Sequence, residues 1–233
     1  MHRPPIALEV ARNRLASVAD EMGVVLRHTS LSPNIKERAD CSAAVFTPEG
    51  EMLAQAEHIP VHLGSMPESV AACLQRFEPV PGVQYAVNDP FAGGTHLNDL
   101  TLVAPVFLGS QHVAWVANRA HHADVGGEAP GSMPAHAIRL DQEGHVVSPM
   151  IAFADGDWIE EFAGPFISAS RTPWERKGDL EAQIGANAVG AARIAELVRQ
   201  QGVSAFDVLT GSLLDYGERR MTAAVGKLPD GEY

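Results

Sequence analysis

Apolar positions recur at two different spacings along the chain, and these spacings predict the first elements. In residues 6–27 they return every three or four residues, which is typical of an amphipathic helix. Strands are predicted at 42–46 and 52–54, separated by a turn. Ser65 and Glu68 have the spacing of a capping box, so we expect a helix to begin there.

The middle of the chain predicts a hairpin. A strand is expected at 83–88, and two more at 101–107 and 112–118 are joined by the short turn Gly109-Ser110. The predicted fold is α+β, with a mixed or antiparallel sheet whose hairpin, 101–118, packs against helices.

The last third of the chain returns to helical spacing, at 179–200 and 204–225. We predict an α+β region, 1–170, and a helical region, 171–233. No linker composition separates them, so one continuous domain is the alternative. Residues 227–233 read as a turn before a strand, and we expect either a fragment or a chain that another chain completes.

Composition narrows the class of protein. A formal net charge of -12 argues against nucleic acid or an anionic membrane as the main partner. Cys41 and Cys73 sit in apolar surroundings and are predicted to be buried free thiols. The first residues lack the pattern of a signal peptide, and no apolar run has the length of a membrane span, so a cytoplasmic protein is expected.

Side chains that carry chemistry concentrate around the predicted hairpin. Folding it at its turn sets Asn98 opposite His121. Asp99 then faces Ala120. The side chains expected at this end of the hairpin are His96, Asp99, His121 and Asp124. Asp89 ends the preceding strand and joins them if that strand belongs to the same sheet.

The side chains gathered at this end suit a metal site. Two imidazoles with one or more carboxylates are a ligand set used by zinc, manganese and iron, with positions left for water or substrate. Gly93-Gly94 would let the backbone approach a ligand closely. The alternative is a set of polar loop residues that only cap backbone groups at the end of a sheet.

A second polar cluster lies upstream. Asp40 immediately precedes a predicted strand, so its carboxylate would face a pocket. His58 and His62 bracket an apolar loop that ends at a predicted helix N-terminus, where a phosphoryl group or carboxylate could bind. The alternative is a purely structural loop. Further along, Asp179 is predicted to be the N-cap or a first-turn acid of a helix.

Three blocks of sequence resemble the hydantoinase B/oxoprolinase family. They are Glu37-Arg38-x-Asp40 with His58-Ile59-Pro60-Val61-His62-Leu63-Gly64-Ser65-Met66; Asn88-Asp89-Pro90-Phe91-Ala92-Gly93-Gly94-Thr95-His96 with Ala117-Asn118-Arg119-Ala120-His121-His122-Ala123-Asp124; and Arg171-x-Pro173 with Gly178-Asp179-Leu180-x-Ala182-Gln183.

The sequence contains no P-loop, no Gly-x-Gly-x-x-Gly and no Gly-x-Ser-x-Gly, so a usual nucleotide site and a serine-hydrolase elbow are not expected.

The resemblance implies a subunit of an ATP-dependent hydrolase that opens hydantoin-type or 5-oxoproline rings. An A-type partner subunit would bind ATP and activate the substrate, and this chain would process the activated intermediate. By the same resemblance, an aspartate-histidine-histidine metal site maps onto Asp89, His96 and His121. Asp40 and Asp99 are alternatives to Asp89. His122 is the alternative to His121.

Further roles follow from this implied site. A divalent zinc, manganese or iron ion would polarise an acyl or phosphoryl oxygen, or lower the pKa of bound water. Catalytic roles are expected for Asp99, Asp124, Asp40 and His122. Of these, Asp99 or Asp124 would orient or deprotonate the water. Substrate contacts are expected from His58, His62 and Arg119.

Two other functions fit the same residues. The family includes alpha-type subunits of acetone and acetophenone carboxylases, so a ketone carboxylase subunit is one alternative. An inactive, truncated scaffold subunit is the other, because members of the family are usually much longer than this chain. The partners expected are therefore an A-type ATP-binding subunit and a separate chain that supplies the C-terminal half.

Overall fold

The computed structural model describes residues 5–57, 62, 64–229 and 231. The helices are α1 (Pro5–Thr29), α2 (Pro33–Lys36), α3 (Met66–Leu74), α4 (Glu160–Ala169), α5 (Pro173–Gln201) and α6 (Val203–Val225). The strands are β1 (Cys41–Phe46), β2 (Met52–Glu57), β3 (Gln84–Val87), β4 (Asp99–Leu108), β5 (Gln111–His121), β6 (Met150–Ala154) and β7 (Asp157–Trp158).

Within these residues the strands form one seven-stranded sheet in the order β2-β1-β5-β4-β3-β6-β7. Neighbouring strands run antiparallel throughout. This confirms the predicted α+β fold, with its central hairpin and its helical last third. The sequence pattern did not predict β6, β7 or α4.

Both faces of the sheet are covered, because successive side chains of a strand point to opposite sides. One face packs against α1 and α5 and buries side chains such as Val45 and Val116. The other packs against α3 and buries Phe46 and Trp115. The sheet is therefore the middle layer of the molecule, and a polar side chain on either face needs a partner from a helix or loop.

The hairpin of β4 and β5 turns at Gly109-Ser110, as predicted. Leu108 pairs with Gln111 next to the turn, and there the predicted register holds. A bulge between Val106 and Phe107 then shifts the pairing by one residue along the rest of the hairpin.

This shift changes which side chains meet at the far end of the hairpin. Asp99 lies opposite His121, and Leu100 lies opposite Ala120. The predicted pairing of Asp99 with Ala120 is therefore wrong by one residue. Because side chains alternate between faces, the corrected register places Asp99 and His121 on the same face of the sheet.

Helix α4 forms despite residues that disfavour helices. Gly164 and Pro165 lie inside it, and both lower helix propensity. Packing outweighs this local cost: Phe162 and Phe166 are fully buried, with ring centroids 5.6 Å apart. Trp158 stacks on Phe162 at 5.7 Å.

Helix α5 begins at Pro173, well before Asp179, so the predicted capping role of Asp179 is wrong. Its carboxylate instead accepts hydrogen bonds from the backbone of Leu31 and Ser32, which follow α1. The helix packs on α1, β4 and β5. The division into 1–170 and 171–233 stays a prediction.

The two thiols are buried and free, as predicted. Burial raises the pKa of Cys41 and of Cys73 to about 12, so both stay protonated at neutral pH. Among the helices described, none combines the length and the apolarity that crossing a membrane requires.

Candidate metal centre

The sheet face that packs on α3 changes character along its strands. Near the hairpin turn it is apolar, with Phe46, Tyr85 and Trp115 fully buried. Towards the opposite end the same face carries two successive rows of polar side chains. The first row is Ser42, Thr101 and Arg119, and the second is Asp40, Asp99 and His121. Strand alternation alone thus brings these groups together once the register is known.

Three side chains at this end form a compact group. His96 Nε2 lies 2.9 Å from Asp99 Oδ1. His121 Nδ1 lies 3.1 Å from the same oxygen, and the two imidazole centroids are 4.9 Å apart. One ligand atom from each residue lies within 4.8 Å of the other two. Asp99 is nearly inaccessible, whereas 35% of the His96 side chain is exposed, so the group opens to solvent on one side.

A second ring of side chains surrounds Asp99. Thr95 Oγ1 donates to Asp99 Oδ2 at 2.9 Å. His62 Nε2 lies 3.3 Å from that oxygen and 3.7 Å from Asp40 Oδ1. His121 Nδ1 lies 3.8 Å from Asp40 Oδ2. The two carboxylates therefore lie between the same two histidines.

The electrostatics keep Asp99 ionised. Burial opposes this, but the facing imidazole nitrogens of His121, His62 and His96 hold the Asp99 pKa far below its usual range. Burial also works against a charged His96, yet the Asp99 carboxylate outweighs it and raises the His96 pKa. A buried carboxylate surrounded by imidazoles is thus available as an anionic ligand at any physiological pH.

These residues fit a divalent transition metal. Two imidazoles and a carboxylate, with a solvent-facing side, match the ligand set of open zinc, manganese or iron sites. One nitrogen atom each of His96 and His121 converges on the same Asp99 oxygen.

The loop that carries His96 is fixed by its contacts with α3. Gly93 has φ +88°, and a Cβ there would lie 2.5 Å from the Glu68 carbonyl oxygen. Ser69 donates a hydrogen bond to the Gly93 carbonyl. The sequence had suggested that Gly93-Gly94 lets the backbone approach a ligand; at Gly93 the close approach is to the backbone of α3.

Arg119 is fully buried. It lies beneath His96, Asp99 and His121, which are called the metal group from here on. Its guanidinium donates to Thr101 Oγ1 at 2.9 Å, to Ser69 Oγ at 2.6 Å and to Ser65 Oγ. Burial lowers the Arg119 pKa, and Asp99 partly offsets this. The predicted substrate contact is inconsistent with this position, because the side chain has no exposed surface. Ser65 occupies the N-cap position of α3 without a capping bond from its side chain.

Asp89, which the resemblance placed among the metal ligands, has both carboxylate oxygens engaged in other contacts. Its Oδ1 accepts from the Phe91 amide at 2.9 Å, and its Oδ2 accepts from Ser148 Oγ at 2.9 Å. These are the contacts of a residue that shapes the loop after β3. Asp99 takes the carboxylate position beside His96 and His121.

Asp124 is also engaged elsewhere. Its carboxylate pairs with Arg171 at 2.7 Å and accepts from the amides of Gly126 and Gly131. Burial opposes the charge, but these amide and guanidinium donors lower the Asp124 pKa. The contacts hold the glycine-rich loop to the start of α5, and they leave the predicted catalytic role without a free oxygen.

His122 lies on the opposite face of the sheet from His121. It is fully buried, with Nε2 2.9 Å from Gln183 Oε1 and its ring edge-on to Phe166. The Gln183 amide nitrogen donates to Leu100 and Asn118, so its oxygen accepts and His122 Nε2 carries the proton. Burial, followed by the charge of Arg176, lowers the His122 pKa to about 3. The geometry excludes it from the metal group.

The buried imidazole predicts a specific acid sensitivity. The His122 pKa is about 3 in the folded chain and about 6.5 when unfolded, so below pH 6.5 the unfolded state takes up a proton that the folded state refuses. The free energy of unfolding should therefore decrease as the pH is lowered. Between pH 6 and pH 4 this one group contributes about 1.4 kcal/mol per pH unit. Chemical denaturation with chelator present should show that slope lost in His122→Gln. In His136→Gln, at an exposed loop position, the slope should be unchanged. Parallel curves for wild type and His122→Gln would contradict the assignment.

The upstream cluster is only partly described. His58 lies outside the described residues. His62 is fully buried, so it does not present the accessible surface that the predicted substrate contact needs. Sequence reasoning did not single out Ser42, Thr95, Ser69 or Thr101. Their signal is strand parity and loop position, and it is readable only after the register of the hairpin is fixed.

The chain matches the model of one protein family over residues 4–233, described as hydantoinase B/oxoprolinase. A 5-oxoprolinase of Dictyostelium discoideum is 39% identical over 201 residues, which are 85% of this chain and 16% of that protein. The caprolactamase subunit beta of Pseudomonas jessenii is 32% identical over 232 residues, 98% of this chain and 40% of that subunit.

Solved structures show the same fold. The ATP-dependent caprolactamase of Pseudomonas jessenii superposes with a TM-score of 0.90 and 31% identity, over 99% of this chain and 40% of that chain. Acetone carboxylase in its nucleotide-free structure has a TM-score of 0.81 at 20% identity, over 91% of this chain and 28% of that chain, which shows a shared fold alone. This chain thus spans 40% or less of each of these relatives. From the match over nearly its whole length, the chain belongs to the hydantoinase B/oxoprolinase family.

Proposed function

We propose that this chain is the metal-bearing part of an ATP-dependent hydrolase of cyclic amides, acting with an A-type ATP-binding subunit. The observation that carries the proposal is the convergence of His96 and His121 on the buried carboxylate of Asp99. Two relatives, a 5-oxoprolinase and an ATP-dependent caprolactamase, are named for lactam substrates, which supports a cyclic amide as the substrate class.

The metal ligands in this proposal are His96, Asp99 and His121. A zinc, manganese or iron ion held there would polarise an acyl or phosphoryl oxygen and lower the pKa of bound water. The buried Asp99 keeps its charge for this purpose, because the imidazoles around it stabilise the anion. The partly exposed face of His96 is the side from which the substrate enters.

Asp40 is the proton acceptor in this proposal. Its Oδ2 lies 3.8 Å from His121 Nδ1, whereas the oxygens of Asp99 and Asp124 are already engaged. The side chain is 19% exposed and lies at the edge of the metal group. A general base needs a lone pair within reach of the water that it deprotonates, and we assign this role to the partly exposed carboxylate of Asp40.

Ring opening then needs two proton movements that the chain can support. Asp40 removes a proton from the attacking water, the carbonyl carbon gains the hydroxyl, and the carbon–nitrogen bond breaks. The departing nitrogen takes up a proton, so opening the ring consumes one water and releases the open-chain acid, while conversion of ATP to ADP and phosphate consumes a second water. Activation by ATP is assigned to the partner subunit, because this chain carries no nucleotide motif of the usual type.

The test is co-expression with an A-type subunit, followed by metal analysis and an assay of ATP-dependent hydrolysis. The substrates to compare are hydantoins, 5-oxoproline, caprolactam, and ketones supplied with bicarbonate. Turnover of a cyclic amide supports the proposal, carboxylation of a ketone would replace it, and a metal-free, inactive complex would favour a scaffold.

Removal of one metal ligand should be visible without any assay of activity. In His96→Ala we expect metal affinity to fall at least about 10-fold, the lower end of the effect of disturbing a metal site. Competition against a chromogenic chelator measures it. His136→Ala, which removes a histidine that is 74% exposed, is the matched control and should bind metal as wild type does. Equal affinity in wild type and His96→Ala would overturn the proposed ligand set.

A further inference from the structure

His62 is a buried group beside the metal centre that the proposed chemistry does not use. Its side chain is 0% exposed. Nδ1 lies 3.1 Å from Ser42 Oγ, and Nε2 points between Asp99 Oδ2 at 3.3 Å and Asp40 Oδ1 at 3.7 Å. Neither Nε2 nor Asp40 Oδ1 has a hydrogen-bond partner among the described residues, so the contacts of Nε2 with the two carboxylates are close charge contacts.

The arrangement excludes two more familiar roles. Ser42, His62 and Asp99 follow one another as serine, histidine and aspartate do in hydrolases. Ser42 is fully buried on β1, however, so its hydroxyl has no access to a substrate and is not a nucleophile. His62 is equally inaccessible, which rules out direct contact with substrate.

We infer that His62 is a positioning residue that holds the Asp99 carboxylate in the orientation needed for metal binding. This rests on the proposed function, since it presumes that His96, Asp99 and His121 bind a metal. Carboxylates accept hydrogen bonds, so Nε2 is the protonated nitrogen and Nδ1 accepts from the Ser42 hydroxyl. Ser42 thereby fixes the ring, and the ring occupies the Oδ2 side of Asp99.

The consequence concerns the other oxygen of Asp99. With Oδ2 hydrogen-bonded to Thr95 and 3.3 Å from His62 Nε2, Oδ1 is the oxygen that faces His96 and His121. Without His62, Thr95 alone would fix Oδ2. The loop that carries Thr95 is more exposed than the strands, so the carboxylate would gain freedom to rotate away from the histidines. Partners that orient a ligand in this way typically change metal affinity by about 10-fold to 100-fold.

The test compares substitutions that keep or remove the donor. His62→Gln can place an amide N–H near the position of Nε2, whereas His62→Leu removes it. Ser42→Ala keeps His62 but frees its ring. Each variant is compared with wild type by chelator competition for manganese and zinc, and by chemical denaturation of the metal-free protein. His122→Leu, a substitution of the buried histidine on the other face of the sheet, is the matched control.

We expect His62→Leu to bind metal about 10-fold to 100-fold more weakly than wild type. His62→Gln should recover most of that affinity, and Ser42→Ala should lie between them. His122→Leu should lose stability and keep metal affinity. If His62→Leu does not fold, Ser42→Ala and His62→Gln decide by the same ranking.

Three results would overturn the inference. They are metal affinity in His62→Leu equal to wild type, affinity in His62→Gln no higher than in His62→Leu, and loss of stability in every variant with metal affinity unchanged. A wild-type protein that binds no metal would instead refute the proposed function, and the positioning role with it.

Discussion

Replacement of Asp99 by asparagine is expected to abolish tight metal binding while leaving the fold in place. The substitution keeps the shape of the side chain and removes its charge. In the wild-type chain, Asp99 Oδ1 contacts the imidazole nitrogens of His96 and His121. Asp99 Oδ2 accepts a hydrogen bond from Thr95 and faces His62. An amide has only one oxygen, so its NH₂ must face donors on one side.

The expected effect exceeds that of the positioning residue. Loss of an anionic ligand should weaken metal binding by more than about 100-fold, the upper end of what outer partners contribute. Chelator competition measures the affinity, and metal analysis after dialysis measures the content. Asp141→Asn, at an exposed aspartate paired with Arg139, is the matched control. Asp99→Asn with affinity within about threefold of wild type would exclude Asp99 as a ligand.

Replacement of Asp179 by leucine is expected to give the largest loss of stability. Asp179 and Arg176 are both 0% exposed, and their side chains meet at 2.9 Å. Burial lowers the Arg176 pKa, with Asp179 as the main counterweight. Without Asp179 the guanidinium keeps, among the ion pairs of the described residues, the one with Glu175 at 3.7 Å, and the amides of Leu31 and Ser32 lose their acceptor. Such a broken buried pair typically costs about 3–5 kcal/mol.

Equilibrium denaturation in urea would measure this loss. Glu21→Gln breaks the ion pair with Arg193, whose members are 39% and 51% exposed, and should cost about 0–1 kcal/mol. The double variant Arg176→Met with Asp179→Leu should regain part of the stability, because no uncompensated charge stays buried. A loss below about 1 kcal/mol for Asp179→Leu alone would show that water or another group already solvates Arg176.

The sequence predicted the architecture of the site better than its ligand set. The helical and strand spacings gave α1, the β4–β5 hairpin, α5 and α6, because those segments have strong apolar periodicity. His96 and His121 were expected at one end of the hairpin, and they lie there. The bulge after Val106 was not predicted, although Pro105 lies one residue before it and proline inside a sheet is found mainly at edges and bulges. Asp99 therefore appeared to face Ala120.

The other errors have a common physical origin in long-range contacts. Asp89 sits beside the site in sequence, but Ser148 captures one of its oxygens. Asp124 forms an ion pair with Arg171, which lies far from it in sequence. Asp179 looked like a helix cap, whereas α5 starts earlier and the carboxylate serves the loop after α1. Partners so far apart in sequence leave no local pattern, so only the folded chain shows which carboxylates are free.

The bulge between Val106 and Phe107 separates the hairpin into a part that carries the site and a tip that does not. Asp99 and the turn lie at opposite ends of β4, about 30 Å apart at the usual rise of a strand. A peptide tag or reporter inserted between the exposed Gly109 and Ser110 would lengthen the tip alone. A single-residue deletion between Leu100 and Val106 would instead rotate Asp99 to the far face. The hairpin thus combines a turn that tolerates insertions with a strand segment in which the number of residues cannot change.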